Sequence, residues 1–383
     1  MADQNIYIDS AAAPGGDGTI GTPYNTLSDI NWTTVQGWVT GGDTVYVNLA
    51  KGSTFNETMT VGASGASGRP VTVQAYGSGD DPIIDGENSR NYCISTGSQA
   101  YLSFVDLDLR NTILECIVSG SSVTASKCLF TLNSADGSKG ISLTSGTVSY
   151  CVFDCRLADV GLLRRAISAT GAVTVDNCTL IGADSGSVYA GATSTITLRN
   201  CICYDLASVT KAVGGAINAT NCNFYSTSTA NLDTNTGEIS GDPLFTGAED
   251  WSLTDASPCV ATGVTGLGYT VDYGGSPIPD DDVNVGAYQH ISDIGSDTTS
   301  TKDIFESNLF GGWIFAAGVF RGTGVDVVEP TWTDPTCSIT TNVTMASNLI
   351  STGITMASNS ISTNVTMSTN SITEEIGIGC GNQ

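Results

Sequence analysis

Three aspartates are the groups best placed for acid–base work: Asp106, Asp108 and Asp154. Asp106 and Asp108 alternate with Val105 and Leu107, so an extended segment turns both carboxylates to one face, Cα atoms about 6.6 Å apart. Asp154 follows Phe153 as Asp108 follows Leu107, which predicts a shared column of side chains two repeats on. Carboxylates about 5 Å apart suit cleavage of a glycosidic bond with retention, and a spacing of about 6.5–9.5 Å suits inversion. Tyr204 and Tyr225 continue the column and would offer exposed rings able to stack on sugars. Asp280-Asp281-Asp282 and Gly79-Asp80-Asp81 carry the oxygens that Ca²⁺ takes, without the spacing of a calcium loop. Turn residues at corners are their plainer reading. Arg164-Arg165, the paired base, reads as a surface or turn pair. His290 has no Ser or Cys partner in view, so a nucleophilic triad lacks support.

What would position these groups is a repeat. Val105-Asp106-Leu107, Cys128-Leu129-Phe130, Cys151-Val152-Phe153, Cys178-Thr179-Leu180, Cys201-Ile202-Cys203 and Cys222-Asn223-Phe224 return at steps of 23, 23, 27, 23 and 21 residues. Ile117, Ile141, Ile167, Val188 and Val213 form a second ladder. Self-similarity at this period marks a solenoid. Val173-Thr174-Val175-Asp176 and Ile196-Thr197-Leu198-Arg199 alternate as half-buried strands do. Gly, Ser, Asn and Asp punctuate the coils, and no window shows a sustained helical stripe. The Cys column reads as inward packing with free thiols, and without CxxC pairs it does not suggest zinc.

This pattern resembles the right-handed parallel β-helix of the pectate-lyase-like superfamily, over about residues 5–290. The opening, Ile6-Tyr7-Ile8-Asp9 through Gly42-Asp43-Thr44-Val45, is similar to that group's first coil. Asp242-Pro243-Leu244-Phe245, Trp251-Ser252-Leu253 and Val285-Gly286-Ala287-Tyr288 are similar to its closing coils. The resemblance implies an all-β solenoid. It also makes polysaccharide lyases and hydrolases the obvious enzymes to consider, yet the Gly-His-Gly and Asn-Thr-Asp elements of polygalacturonase-like hydrolases are absent.

The chain has 383 residues, 13 Lys and Arg against 38 Asp and Glu, and a net charge of −25. That balance argues against nucleic acid and against anionic membranes or polyanions held by charge. The start, Met1-Ala2-Asp3-Gln4, shows no signal peptide. Its longest apolar stretch, Leu309 to Phe320, is too short to span a bilayer. Synthesis in a host cytoplasm is the expectation.

Three regions are predicted: a capped β-helix over 1–291, a linker with an aromatic-rich attachment segment over 292–330, and a β-repeat module over 331–383. In the last, Ile339, Ile350, Ile361 and Ile372 recur every 11 residues, with Val343, Ile354, Val365 and Ile376 beside them. Thr, Ser, Val and Ile at these offsets favour strands over a helical supercoil. So few strands bury little alone, which predicts a small β-rich oligomerisation or attachment module, most simply homotrimeric.

The architecture resembles bacteriophage virion surface proteins of decoration, fibre or tail-spike type. The leading expectation is a structural, non-enzymatic subunit on a virion surface, stabilising the particle or adhering to host glycans. It would contact other virion proteins through residues 292–383 and need no cofactor beyond optional Ca²⁺. A polysaccharide lyase or glycosidase is the alternative, and a secreted bacterial adhesin the third reading.

Overall fold

Alternating apolar residues form strands, and each coil carries three. A computed structural model describes residues 2–132, 138–156, 164–183 and 187–290, with backbone strands at 325–327, 342–345, 362–368 and 371–377. The chain divides into two units, Met1–His290 and Ile291–Gln383. In the first, sheet 1 has ten strands from Asp3–Ile8 to Thr234–Thr236. Sheet 2 has eight, from Thr54–Phe55 to Asn223–Tyr225, and sheet 3 has seven, from Met59–Thr60 to Val209–Lys211. The chain visits sheets 1, 2 and 3 in turn, and each strand pairs in parallel with its equivalent one coil on, giving seven complete coils among the described residues. This is a parallel β-solenoid of the right-handed type.

One face of every strand makes the core. Phe104, Phe130, Phe153 and Leu180 are fully buried, as are Cys128, Cys151, Cys178, Cys201 and Cys222. The Cys column therefore faces inward, with Cys203 beside it, and the ten described cysteines carry no disulfide. Burial pushes the thiols of Cys128, Cys151 and Cys201 well above their ordinary range. Phe130 and Phe153 stack with centroids 4.5 Å apart. Gly140 makes room for them, since a Cβ there would lie 2.6 Å from both the Phe153 ring and the Ala166 carbonyl.

Two ladders shift from the sequence reading. Cys128 follows the left-handed residue of its corner as Leu107 does, and Phe130 pairs with Leu109, so the first unit is Leu107-Asp108-Leu109 and not Val105-Asp106-Leu107. A slip of two residues leaves the in–out alternation intact, so periodicity could not reveal it. In the second ladder Val188 pairs with Val209, while Val213 is 98% exposed in a turn.

From Leu102–Val105 onward, six successive coils turn from sheet 1 to sheet 2 through a two-residue link. Its first residue is left-handed each time: Asp106, Lys127, Tyr150, Asn177, Asn200 and Asn221. Asn tolerates this conformation, and here its amide also binds. Asn177 donates to the Asn284 carbonyl, Asn200 to Val264 and Asn221 to Thr262, at 2.8–3.0 Å. These bonds dock residues 239–290, which run back over the outer face of sheet 2. Trp251 and Ala287 pack on Val152 and Ile181; Leu253, Cys259 and Val285 pack on Ile202. The segment resembling closing coils thus adds no coil and acts as a cover.

A single α-helix, Trp32–Gly41, interrupts the all-β pattern among the described residues. Asn31 caps its start by accepting from the Thr34 N–H, and Gly42 ends it at φ 95°. Val35 and Val39 are buried against the core, a contact too short to show as a sustained stripe. In the second unit the described strands form an antiparallel sheet, in the order 325–327, 342–345, 371–377, 362–368. The aromatic segment Phe305 to Phe320 and much of the 11-residue repeat lie outside the described residues.

Candidate functional site

A cleft of about 560 Å³ opens where early coils leave sheet 2 uncovered. Asp108 and Arg110 contribute from the strand Asp108–Arg110. Asp106 and Lys127 stand at successive left-handed corners, and Lys51 and Asp81 come from the flanking loops. Tyr273, Gly274 and Gly275 of the cover close one side. Asp272, almost fully buried, shapes that wall by accepting the N–H groups of Ser276 and Gln289, both at 2.6 Å. The Tyr273 ring is braced edge-on by Tyr288, centroids 5.1 Å apart.

The charges are paired: Lys51 with Asp81 at 2.9 Å, Lys127 with Asp106 at 2.8 Å, and Arg110 with Asp108 at 2.6 Å. The pairing leaves two polar atoms over. Asp108 Oδ1 and Arg110 Nε are buried without a hydrogen-bond partner among the described residues. Burial pushes the Asp108 carboxyl up to about 6; Arg110 pulls it back, and Asp81 and Asp85 add to the rise. The Asp81 hydrogen bond in turn raises the Lys51 ammonium.

The structure brings Asp106 and Asp108 together, though not on one straight strand: Asp106 sits at the corner with φ 55° and Asp108 beyond it. It separates Asp154 from them. Asp108 shares a column with Leu129 and Val152, whereas Asp154 aligns with Thr131 and Arg110, again by the two-residue slip. Asp154 is held by both Nε and a terminal nitrogen of Arg156, at 3.0 and 2.8 Å. Arg156 lies 4.2 Å above the Trp251 ring and donates to the Ala248 carbonyl, so the pair anchors the cover.

Tyr204 and Tyr225 do continue the Asp154 column and stack at 5.4 Å, but they are half-buried and not freely exposed. Phe245 of the cover meets Tyr204 edge-on at 5.5 Å. Asp280, Asp281 and Asp282 are exposed; Asp280 borders a smaller cavity of about 190 Å³ beside Tyr150 and Tyr269. Asp80 and Asp81 lie instead in the main cleft. Among the described residues no three His, Cys, Asp or Glu side chains stand together as a metal site. His290 contacts Asp255.

Sequence reasoning missed Lys51, Arg110, Lys127 and Tyr273. Arg110 follows Asp108 at the strand interval, and Lys127 occupies Asp106's corner one coil on. Both signals were present in the sequence. Tyr273 gives none, because the cover reaches it only through the fold.

No family model matches the chain, and no curated protein matches it. Among solved structures it is similar to a GH136 lacto-N-biosidase from Eubacterium ramulus, at 11% identity and TM-score 0.35, over 62% of this chain and 55% of that one. It is similar to a mannuronic acid-specific polysaccharide family 6 lyase from human gut microbiota, at 12% identity and TM-score 0.40, over 63% and 58%. A Geobacillus virus E2 protein, ORF18, matches at 10% identity and TM-score 0.26, over 61% and 60%. The chain spans little more than half the length of the first two. At these identities the likeness goes no further than a coiled architecture.

Proposed function

We propose that this chain is a surface protein of a bacteriophage particle, of decoration, fibre or spike type, whose solenoid holds host-surface glycan in the cleft at Asp108 without cleaving it. The observation that carries this reading is the cleft itself: an open cavity on a rigid sheet, with charged side chains already fixed by one another. Groups held in place before a ligand arrives bind with less ordering cost. The 11-residue repeat beyond residue 330 supports attachment and assembly as a homotrimer.

The test is affinity electrophoresis through gels cast with host-surface polysaccharides, run beside Asp108→Asn and with an assay for new reducing ends. Retardation of the native protein, at least tenfold weaker in the variant and without new ends, is expected. No retardation by any glycan would refute glycan binding. Deleting residues 330–383 should convert a trimer to a monomer by light scattering; a full-length monomer would remove the trimer.

One observation favours a second reading, a polysaccharide lyase or hydrolase. The Asp108 carboxyl, pushed up to about 6, stands in the cleft with Tyr273 and is poised for proton transfer near neutral pH. New reducing ends or unsaturated uronate absorbance, lost in Asp108→Asn, would establish it.

A further inference from the structure

Resting on the glycan-binding reading of the same cleft, we infer that it takes the end of a sugar chain and not an internal stretch. Its floor is one column of outward side chains, Ile83, Asp108 and Leu129, each paired with its equivalent one coil on. A column across parallel strands runs along the solenoid axis, and its two coil steps span about 10 Å. Lys51, Asp81, Asp106 and Lys127 stand along the neighbouring corner, between sheets 1 and 2, so the trough and its charged wall share that axis. The side chains of these four and of Arg110 keep 22–33% of their surface in solvent, within reach of ring hydroxyls.

The two ends of the column differ. Before Ile83 comes Thr54, which is exposed. After Leu129 comes Val152, fully buried against Trp251 and Ala287 of the cover, and the next members, Thr179 and Ile202, are buried too. Leu129 and Tyr273 pack on the same apolar cluster as Val152, so the stop stands at the Leu129 end. A chain lying on this floor meets the cover at one end and solvent at the other. An internal stretch needs a way out at both ends, whereas a terminus needs one. To pass Leu129, a polymer would have to lift Trp251 off Val152. Arg156 resists this, lying 4.2 Å above the Trp251 ring while it holds Asp154. The cavity of about 560 Å³ lies in the range of sites that enclose a small ligand, which suits a short run of sugar rings.

The test is competition against gel retardation of the full chain. A β-glucan, a mannan and alginate are cast in the gels and supplied in solution, either intact or partly hydrolysed. At equal mass, cutting each chain into about ten pieces makes about tenfold more ends, and should make the competitor about tenfold more potent. A site for internal stretches is indifferent to cutting until the pieces are shorter than the cleft. Thr54→Trp, at the open end, should obstruct the outgoing chain and weaken competition by intact polymer about fivefold. The shortest competing fragment should stay within about twofold. Thr60→Trp, at an exposed position on sheet 3, should change neither. Unchanged circular dichroism and melting are the check on folding. Equal potency of intact and cut polymer at equal mass overturns the chain-end inference and leaves glycan binding standing. So does a loss in Thr54→Trp no greater than in Thr60→Trp. No retardation by any of the three polymers overturns both.

Discussion

Asp108 concentrates the chemistry of the cleft in one titration. Its carboxyl rises from an ordinary 3.8 to about 6 because burial penalises the charge more than Arg110 relieves it. A group raised in this way favours the folded state below its unfolded value and withdraws that support as pH climbs. Asp108 should therefore make folding less favourable between about pH 4 and pH 6. Carboxyl ¹³C shifts, assigned by difference against Asp108→Asn, should show a midpoint near 6. In Arg110→Met the midpoint should move higher, because the attraction that lowers it is gone. A midpoint near 4 in the native chain would refute the burial argument. Asp106 and Asp108 were legible as candidates because acids that alternate with inward apolar residues must lie on the outer face of the coil. Their separation from Asp154 was not, since period two repeats itself under a two-residue slip.

At the scale of elements, the left-handed corner decides the arrangement. Asn177 and Asn200 bond through 3.3 Å to each other and on to residues far along the chain. The Val264 N–H returns a bond to Asn200 Oδ1 at 2.6 Å. Asn200→Ala removes all three contacts from a buried site, which should cost about 1–3 kcal/mol. More specifically, it should expose residues 262–290 to limited proteolysis while the coils stay intact. Cleavage within the coils first would contradict that order. Sequence supplied the polar pair before each Cys but not its purpose, because the partner lies 64 to 107 residues away. Likewise the apolar outer residues Val152, Ile181 and Ile202 look like ordinary strand residues until the cover is seen on them.

For the whole molecule, the solenoid is a chain of nearest-neighbour contacts, in which each coil is stabilised by the two beside it. The last strand of sheet 1, Thr234–Thr236, has a neighbour on one side only, Ala216–Thr220. Hydrogen exchange should release its amides at lower free energy than those of Val123–Ser126 or Val152–Asp154, which are paired on both sides. Uniform protection would mean that the cover, running back along the coils, couples them into one unit. The coil period and the inward core columns were legible from the Cys and Ile ladders; the cover, which also completes the cleft, was not.

The two-residue corner between sheets 1 and 2 stays constant through six coils, while links at the other corners vary. Between sheets 2 and 3, Leu206 leads to Val209 almost at once, yet Asp154 is separated from Arg165 by ten residues. Variation in length is thus confined to places where it leaves strand register untouched. A foreign peptide inserted after Arg110 would enlarge a loop without shifting any coil. The same rule lets a lineage lengthen the rod by copying whole coils and diversify its rim by small insertions, so reach and recognition can evolve independently.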